Sequence, residues 1–416
     1  MPKIIHSSDW HLGARLHEQS RQEDHGHFLA WLRTTLAAER PDALIIAGDI
    51  FDSSLPGAAA QQQYYDFLGD LAADQSCGSV VIVAGNHDSP SLLSAPATLL
   101  RRLQVHVVGA GPAFDADKSP LIRRLPTRDG VGLVVGAIPF LRERDLRQTQ
   151  AGESSDDIDR KIRDGLRGYF AEVFELAQAA RHGSEPVILT GHLSLGKPEL
   201  DADGSERKTY VGNLESAPSS LIPAGVDYLA LGHIHKPQAV GQAHFCYSGS
   251  PLPMSFAEAG QQKRLVEVSW ENGERRMRDL VIPTFRRLIR LRGDWDALSR
   301  ELAALKEALR PDSPPAWLEI TLVSNVRLID LESRIDALLQ GSPLLCLKAQ
   351  LLLSSETGAP PSAATGGQGP DLKELTPPEI FDMLLERKQI ATDQRPLLRH
   401  CFDTAVRRLS QRDQHT

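Results

Sequence analysis

Residues 43–54 read Ala-Leu-Ile-Ile-Ala-Gly-Asp-Ile-Phe-Asp-Ser-Ser. Five apolar residues running into Gly48-Asp49 predict a strand buried on both faces, which ends in a sharp turn presenting a carboxylate. The same design recurs on both sides of it. IIHSS at 4–8 runs into Asp9-Trp10-His11, and VVIVA at 80–84 into Gly85-Asn86-His87-Asp88. VILT at 187–190 runs into Gly191-His192, and YLAL at 228–231 into Gly232-His233-Ile234-His235. Residues 24–40, 58–73 and 92–103 carry apolar positions at helical spacing between the early strands, and 156–182 reads as one long helix. Strands alternating with helices predict an α/β fold with parallel layers, whose strand C-termini gather at one edge.

In extended backbone, residues i and i+2 point the same way, so Asp9 with His11, and His233 with His235, can converge on one spot. Together the strand ends supply seven ligands: Asp9, His11, Asp49, Asn86, His192, His233 and His235. Seven are too many for one zinc ion, which usually takes four. They suit two divalent ions sharing Asp49. A nitrogen and oxygen set without thiolates favours Mn²⁺, Fe²⁺ or Zn²⁺ over Ca²⁺ or Mg²⁺.

The order D-x-H, GD, GNHD, GH, GHxH resembles the calcineurin-like metallophosphoesterases. That resemblance implies a two-sheet α/β sandwich around a dinuclear metal centre. Asp9, His11, Asp49 and His235 would hold one ion, and Asp49, Asn86, His192 and His233 the other. His87 would be the catalytic histidine. The stretches GDIFDSS (48–54), GNHDSP (85–90), YVGNLE (210–215), YLALGHIHKPQ (228–238) and YSGSPLPMSF (247–256) resemble the DNA-repair nuclease branch of that superfamily. That branch implies a Mn²⁺-dependent exonuclease and endonuclease, acting on DNA ends and hairpins as a homodimer with a coiled-coil ATPase. Protein phosphatases of the superfamily carry an Arg soon after the GD motif, and Asp49-Ile-Phe-Asp-Ser-Ser lacks it. Archaeal and eukaryotic relatives place a second His where Asp52 stands. Asp52 is read as an acceptor that orients His87 or a ligand histidine, with Asp88 in a similar supporting place. A phosphodiesterase of small nucleotides and a non-catalytic DNA-end scaffold are the alternatives.

The 416 residues carry 46 Lys+Arg against 54 Asp+Glu, a net −8. That balance excludes a simple basic nucleic-acid binder. Residues 1–283 hold 28 basic and 36 acidic residues, so the whole excess lies there. No apolar run approaches the ~18–20 residues of a membrane span. Four scattered cysteines without a CxxC predict free thiols in a reducing cytoplasm.

Four segments are expected. Residues 1–283 form the metallophosphoesterase domain, and 284–353 a small α+β cap. Residues 354–371 are a Gly/Pro/Ser/Ala linker, and 372–416 a helical segment. Arg286, Arg287, Arg290 and Arg292 are read as a basic strand face for DNA backbone. Phe381, Leu384, Leu385, Leu398, Phe402 and Val406 form an apolar face beyond the linker, which two short helices cannot bury alone. The resemblance implies that this face docks on the ATPase. It also implies dimerisation through Tyr64, Phe67, Leu68 and Leu71 with Leu92, Leu93, Leu99 and Leu100.

Overall fold

The strand expected at 43–47 forms as Ala43–Ala47 with all five residues buried. The computed structural model describes residues 1–150, 152–199, 216–309, 314–326 and 330–353, with 381, 395, 398, 399 and 402. Ala43–Ala47 lies between Lys3–Ser7 and Ser79–Val83, and Val105–Val108 closes that side; all four strands are parallel. Arg264–Glu271 and Glu274–Val281 complete the six-stranded sheet as an antiparallel edge. A second six-stranded sheet has Val187–His192 parallel to Tyr228–Gly232 at its centre.

Alternation along the first sheet builds two cores. Ile4, Ile45, Val81 and Val83 face the second sheet, whose inner face presents Ile188, Tyr228 and Ala230 to the same core. Ile5, Leu44, Ile46 and Ile82 face outward and are covered by helices Gln22–Glu39 and Ala58–Asp74. Helix Ser155–Ala180 covers the second sheet with Ile162, Leu166, Phe170 and Val173. The result is a helix–sheet–sheet–helix sandwich.

Three expectations are corrected by packing. The helix expected over 92–103 is two short ones, Pro90–Ser94 and Ala97–Arg101. Pro96 lies between them and has no N–H to give, so the helical ladder is interrupted there although Ala95 itself stays helical. Tyr64, Phe67, Leu68 and Leu71 are buried in the chain's own core, so they offer no surface to a second copy. Arg286 is not on an open strand face. The strand begins later, at Leu288–Gly293, and Arg286 is only 7% exposed. Its guanidinium pairs with Asp24 at 2.8 Å and Glu23 at 2.7 Å, and lies 4.6 Å from the Trp317 ring centroid. A buried carboxylate and an aromatic face draw this cation inward.

A third sheet joins Leu288–Gly293, Ala316–Ser324 and Leu344–Leu353, all parallel, through crossover helices Trp295–Ala308 and Leu331–Leu339. Those helices bury Leu298, Leu302, Ile335 and Leu339 on it. The two sandwich sheets and this sheet belong to one compact unit, Met1–Ser354; Ser355–Thr416 form a second. Arg287, Arg290 and Arg292 are exposed, and Arg290 pairs with Glu319 at 2.8 Å. In the second unit, Phe381, Leu398 and Phe402 are helical, and the Phe381 and Phe402 rings stack at 4.3 Å. Leu384, Leu385, Val406 and the 354–371 linker lie outside the described residues, as does YVGNLE. Cys77, Cys246 and Cys346 are free thiols; Cys401 is also outside the described residues. Among the described residues, no helix is long and apolar enough to cross a membrane.

Candidate metal centre

The five strand ends meet at one edge of the sandwich. Asp9, His11, Asp49 and His233 all adopt left-handed backbone, with φ of 53°, 47°, 51° and 98°. Such conformations cost roughly 1–3 kcal/mol each for residues with a Cβ, and they cluster where function requires a particular aim. Main-chain bonds lock the first two turns together: Asp9 N–H donates to the Gly48 carbonyl at 2.9 Å, and His11 N–H to that of Asp49 at 3.0 Å. Glycine is required by close approach. A Cβ on Gly48 would strike the His192 ring, and one on Gly85 the Asp49 carboxylate.

Asp49 is central. Its Oδ2 lies 3.2 Å from His192 Nε2 and 3.7 Å from His11 Nε2, while Oδ1 accepts the His87 N–H at 2.9 Å. Asn86 Oδ1 lies 3.0 Å from His192 Nε2 and 3.1 Å from His233 Nδ1. On the other side, Asp9, His11 and His235 bring one ligand atom each within 4.8 Å of one another, as do Asp9, Asp49 and His192. Asp9 Oδ1 also accepts the His233 N–H at 2.9 Å. All seven expected ligands are therefore neighbours, and Asp49 sits between the two groups.

These residues fit divalent cations. Both ring nitrogens of His11 are buried without a well-formed hydrogen bond, although carboxylates stand within ion-pair range. Burial works against charging His192. Asp49 and Asp9 outweigh it and push its pKa up to about 9, so a proton there partly fills the place of a cation. Burial and the charge of His192 push His233 down to about 3. Asp49 is opposed by burial yet held well below the usual carboxylate range by His192 and His11. Two buried carboxylates ringed by imidazoles, with neutral hydroxyl and main-chain donors besides, make a site that favours added positive charge.

Of the expected supporting residues, Asp52 places a carboxylate oxygen 3.3 Å from His11 Nδ1. His11, Asp52 and His87 bring one ligand atom each within 4.8 Å of one another, and the Asp52 backbone carbonyl lies 2.8 Å from His87 Nδ1. A carbonyl only accepts, so that contact puts the His87 proton on Nδ1. Asp88 accepts from Gly85, Ile50 and Phe51 N–H at 2.8, 3.1 and 2.9 Å, clamping two site loops together. Burial and the Asp49 charge raise it to about 6 against those three donors. His87 is half-buried, its ring centroid 4.8 Å from that of His11.

Several supports have no counterpart among the sequence expectations. Ser8 bridges the Asp9 carboxylate to Ser248, at 2.5 and 2.9 Å. The Ala47 carbonyl lies 2.8 Å from His192 Nδ1, which leaves Nε2 for a ligand role. Glu258 and Lys263 stand behind His235. Ser8 is legible only as a polar neighbour of Asp9; the others carry no local signal, because their contacts span distant segments.

The fold and this edge define a phosphoester hydrolase. A family model described as calcineurin-like phosphoesterase matches residues 2–237, and one described as type 5 capsule protein repressor C-terminal domain matches 284–389. The sequence is 33% identical over 413 residues to SbcD, the D component of the nuclease SbcCD, of Escherichia coli K12, covering 98% of each chain. It is 33% identical over 390 residues to SbcD of Rhodobacter capsulatus, covering 91% of this chain and 93% of that one. Against SbcD of Bacillus subtilis it is 34% identical over 276 residues, covering 65% of this chain and 67% of that one. The chain belongs to the SbcD family of calcineurin-like phosphoesterases, and it is a metal-dependent nuclease.

Proposed function

We propose that the chain hydrolyses DNA phosphodiesters with two Mn²⁺ ions, as both a double-strand exonuclease and a single-strand or hairpin endonuclease. The observation that carries this reading is the Asp49 carboxylate standing between two ligand groups at the strand ends. Asp9, His11, Asp49 and His235 would hold one ion, and Asp49, Asn86, His192 and His233 the other. Bound there, divalent ions supply a nucleophilic water of lowered pKa and offset charge on the phosphate. The chain's own residues do the rest. Asp49 fixes the spacing of the two ligand groups, and the Gly48 and Gly85 turns let His192 and the Asp49 carboxylate pack close enough to serve them. His87, its Nδ1–H held by the Asp52 carbonyl, would act as an imidazolium, giving its Nε2 proton to the leaving 3′-oxygen and ending as the neutral Nδ1–H ring.

The third sheet, within residues 284–353, serves as a cap that meets DNA backbone through Arg287, Arg290 and Arg292. Arg286 instead holds the cap to the helix bearing Asp24. Reversing Arg287 and Arg292 to Glu is expected to weaken duplex binding. The slope of log affinity against log salt should become shallower by about 0.9 for each phosphate no longer neutralised. An unchanged slope would remove this face from the DNA path.

Residues 372–416, reached through the 354–371 linker, dock through Phe381, Leu384, Leu385, Leu398, Phe402 and Val406 on an SbcC-type coiled-coil ATPase. The assembly processes DNA ends in cytoplasmic repair and recombination, two copies of this chain working with the ATPase. One experiment tests the reading. The purified chain, intact and lacking 372–416, is given Mn²⁺ and labelled duplex, hairpin and mononucleotide phosphodiester substrates. Both forms are expected to cut duplex and hairpin DNA and spare the nucleotides, while only the intact chain co-elutes with the ATPase. Cleavage confined to small nucleotides would replace the proposal with a nucleotide phosphodiesterase.

A further inference from the structure

The segment YSGSPLPMSF (247–256) and the helix turn after it bear no proposed ligand, yet they wrap the back of one. Glu258 is fully buried and Lys263 nearly so, and they form an ion pair of 2.5 Å. Both grip His235. Glu258 Oε1 lies 3.7 Å from His235 Nδ1, and Lys263 Nζ donates to the His235 carbonyl at 3.1 Å. Lys263 also donates to Ser250 Oγ at 3.2 Å, and the Ser250 N–H donates to the same His235 carbonyl at 3.1 Å. The Met254 N–H donates to Glu258 Oε2 at 3.1 Å, and the Pro253 carbonyl accepts from Arg21. Desolvating two charges is expensive, and an apolar pair of similar volume often stabilises a fold at least as well. A buried pair aimed at one imidazole therefore points to a purpose other than stability.

We propose that Glu258 and Lys263 are positioning residues for His235, holding its ring and its backbone in the metal centre from behind. The inference rests on the metal-centre reading above and deepens it. A carboxylate beside Nδ1 favours the tautomer with its proton there, leaving Nε2 as the metal donor. Lys263 neutralises that carboxylate and ties the His235 carbonyl, so the imidazole cannot swing out of the Asp9–His11 group.

The test is a Mn²⁺ titration of the full chain, reading free Mn²⁺ by electron paramagnetic resonance. Glu258→Gln is expected to weaken one of two sites by about 10–100-fold and leave the other unchanged. Glu258→Gln with Lys263→Met, which leaves no lone buried charge, should show the same selective loss even if the single variant fails to fold. On a His235→Ala background, Glu258→Gln should add less than about twofold, because its effect runs through that imidazole. Wild-type affinity at both sites in the neutral-pair variant would overturn the inference, as would full additivity with His235→Ala. If His235→Ala itself left both sites intact, the metal-centre reading would fall, a result distinct from failure of the positioning role alone.

Discussion

Asp49→Asn is expected to abolish Mn²⁺ binding at both sites and bring nuclease activity to background. The substitution keeps the shape of the side chain, and its amide oxygen still accepts the His87 N–H that Asp49 Oδ1 accepts at 2.9 Å. What it removes is the charge 3.2 Å from His192 and 3.7 Å from His11. Both ligand groups lose their common carboxylate at once. The loss should exceed the 10–100-fold typical of residues that only orient ligands. Thermal unfolding checks binding separately from catalysis. At a metal concentration of 100 times its dissociation constant, each occupied site stabilises the native chain by about 2.7 kcal/mol. The wild type should melt higher with Mn²⁺, whereas Asp49→Asn should melt at the same temperature with and without it. A variant that kept a Mn²⁺-dependent shift for one site would show that Asp49 is not shared.

His87→Ala separates the other way. Metal binding and the Mn²⁺-dependent melting shift should persist, because His87, though it clusters with His11 and Asp52, is not one of the seven proposed ligands and is held by the Asp52 carbonyl and its own N–H to Asp49. Turnover should fall by about 10²–10⁴-fold, the usual worth of a positioned proton donor. The loss should appear in kcat at saturating DNA. Activity near that of the wild type would take His87 out of the chemistry and reduce it to a loop support.

The contrast between these two residues is legible in local sequence. Asp49 follows a buried strand through a Gly, and His87 sits one residue past a proposed ligand in Gly85-Asn86-His87-Asp88. Strand, turn and ligand are encoded over about ten residues, so local pattern suffices to find them. The same holds for the helices that cover the first sheet, whose apolar spacing sets bounds within two residues of Gln22–Glu39 and Ala58–Asp74. Pattern fails where a residue's fate depends on a distant partner. Tyr64, Phe67, Leu68 and Leu71 make a helix stripe that could equally face a second copy or a core, and the sheet behind them decides for the core. Arg286 reads as a surface cation until Asp24 and the Trp317 ring are folded around it.

The layered α/β fold, the seven proposed ligands at five strand ends and the lack of a phosphatase Arg after the GD motif are all written in the order of residues. Those features are periodicities and adjacencies, which local pattern reports, whereas the left-handed turns at Asp9, His11 and Asp49 that aim the side chains are locked by main-chain bonds between strand ends. Tertiary packing was needed to stand one Asp49 oxygen between His11 and His192, and to make Asp88 a clamp on two loops. It alone put Glu258 and Lys263 behind His235 and Arg286 inside the molecule. Each of these is an electrostatic contact between segments far apart in sequence. Such contacts come into being only when burial strips water from the charges and leaves them no other partner.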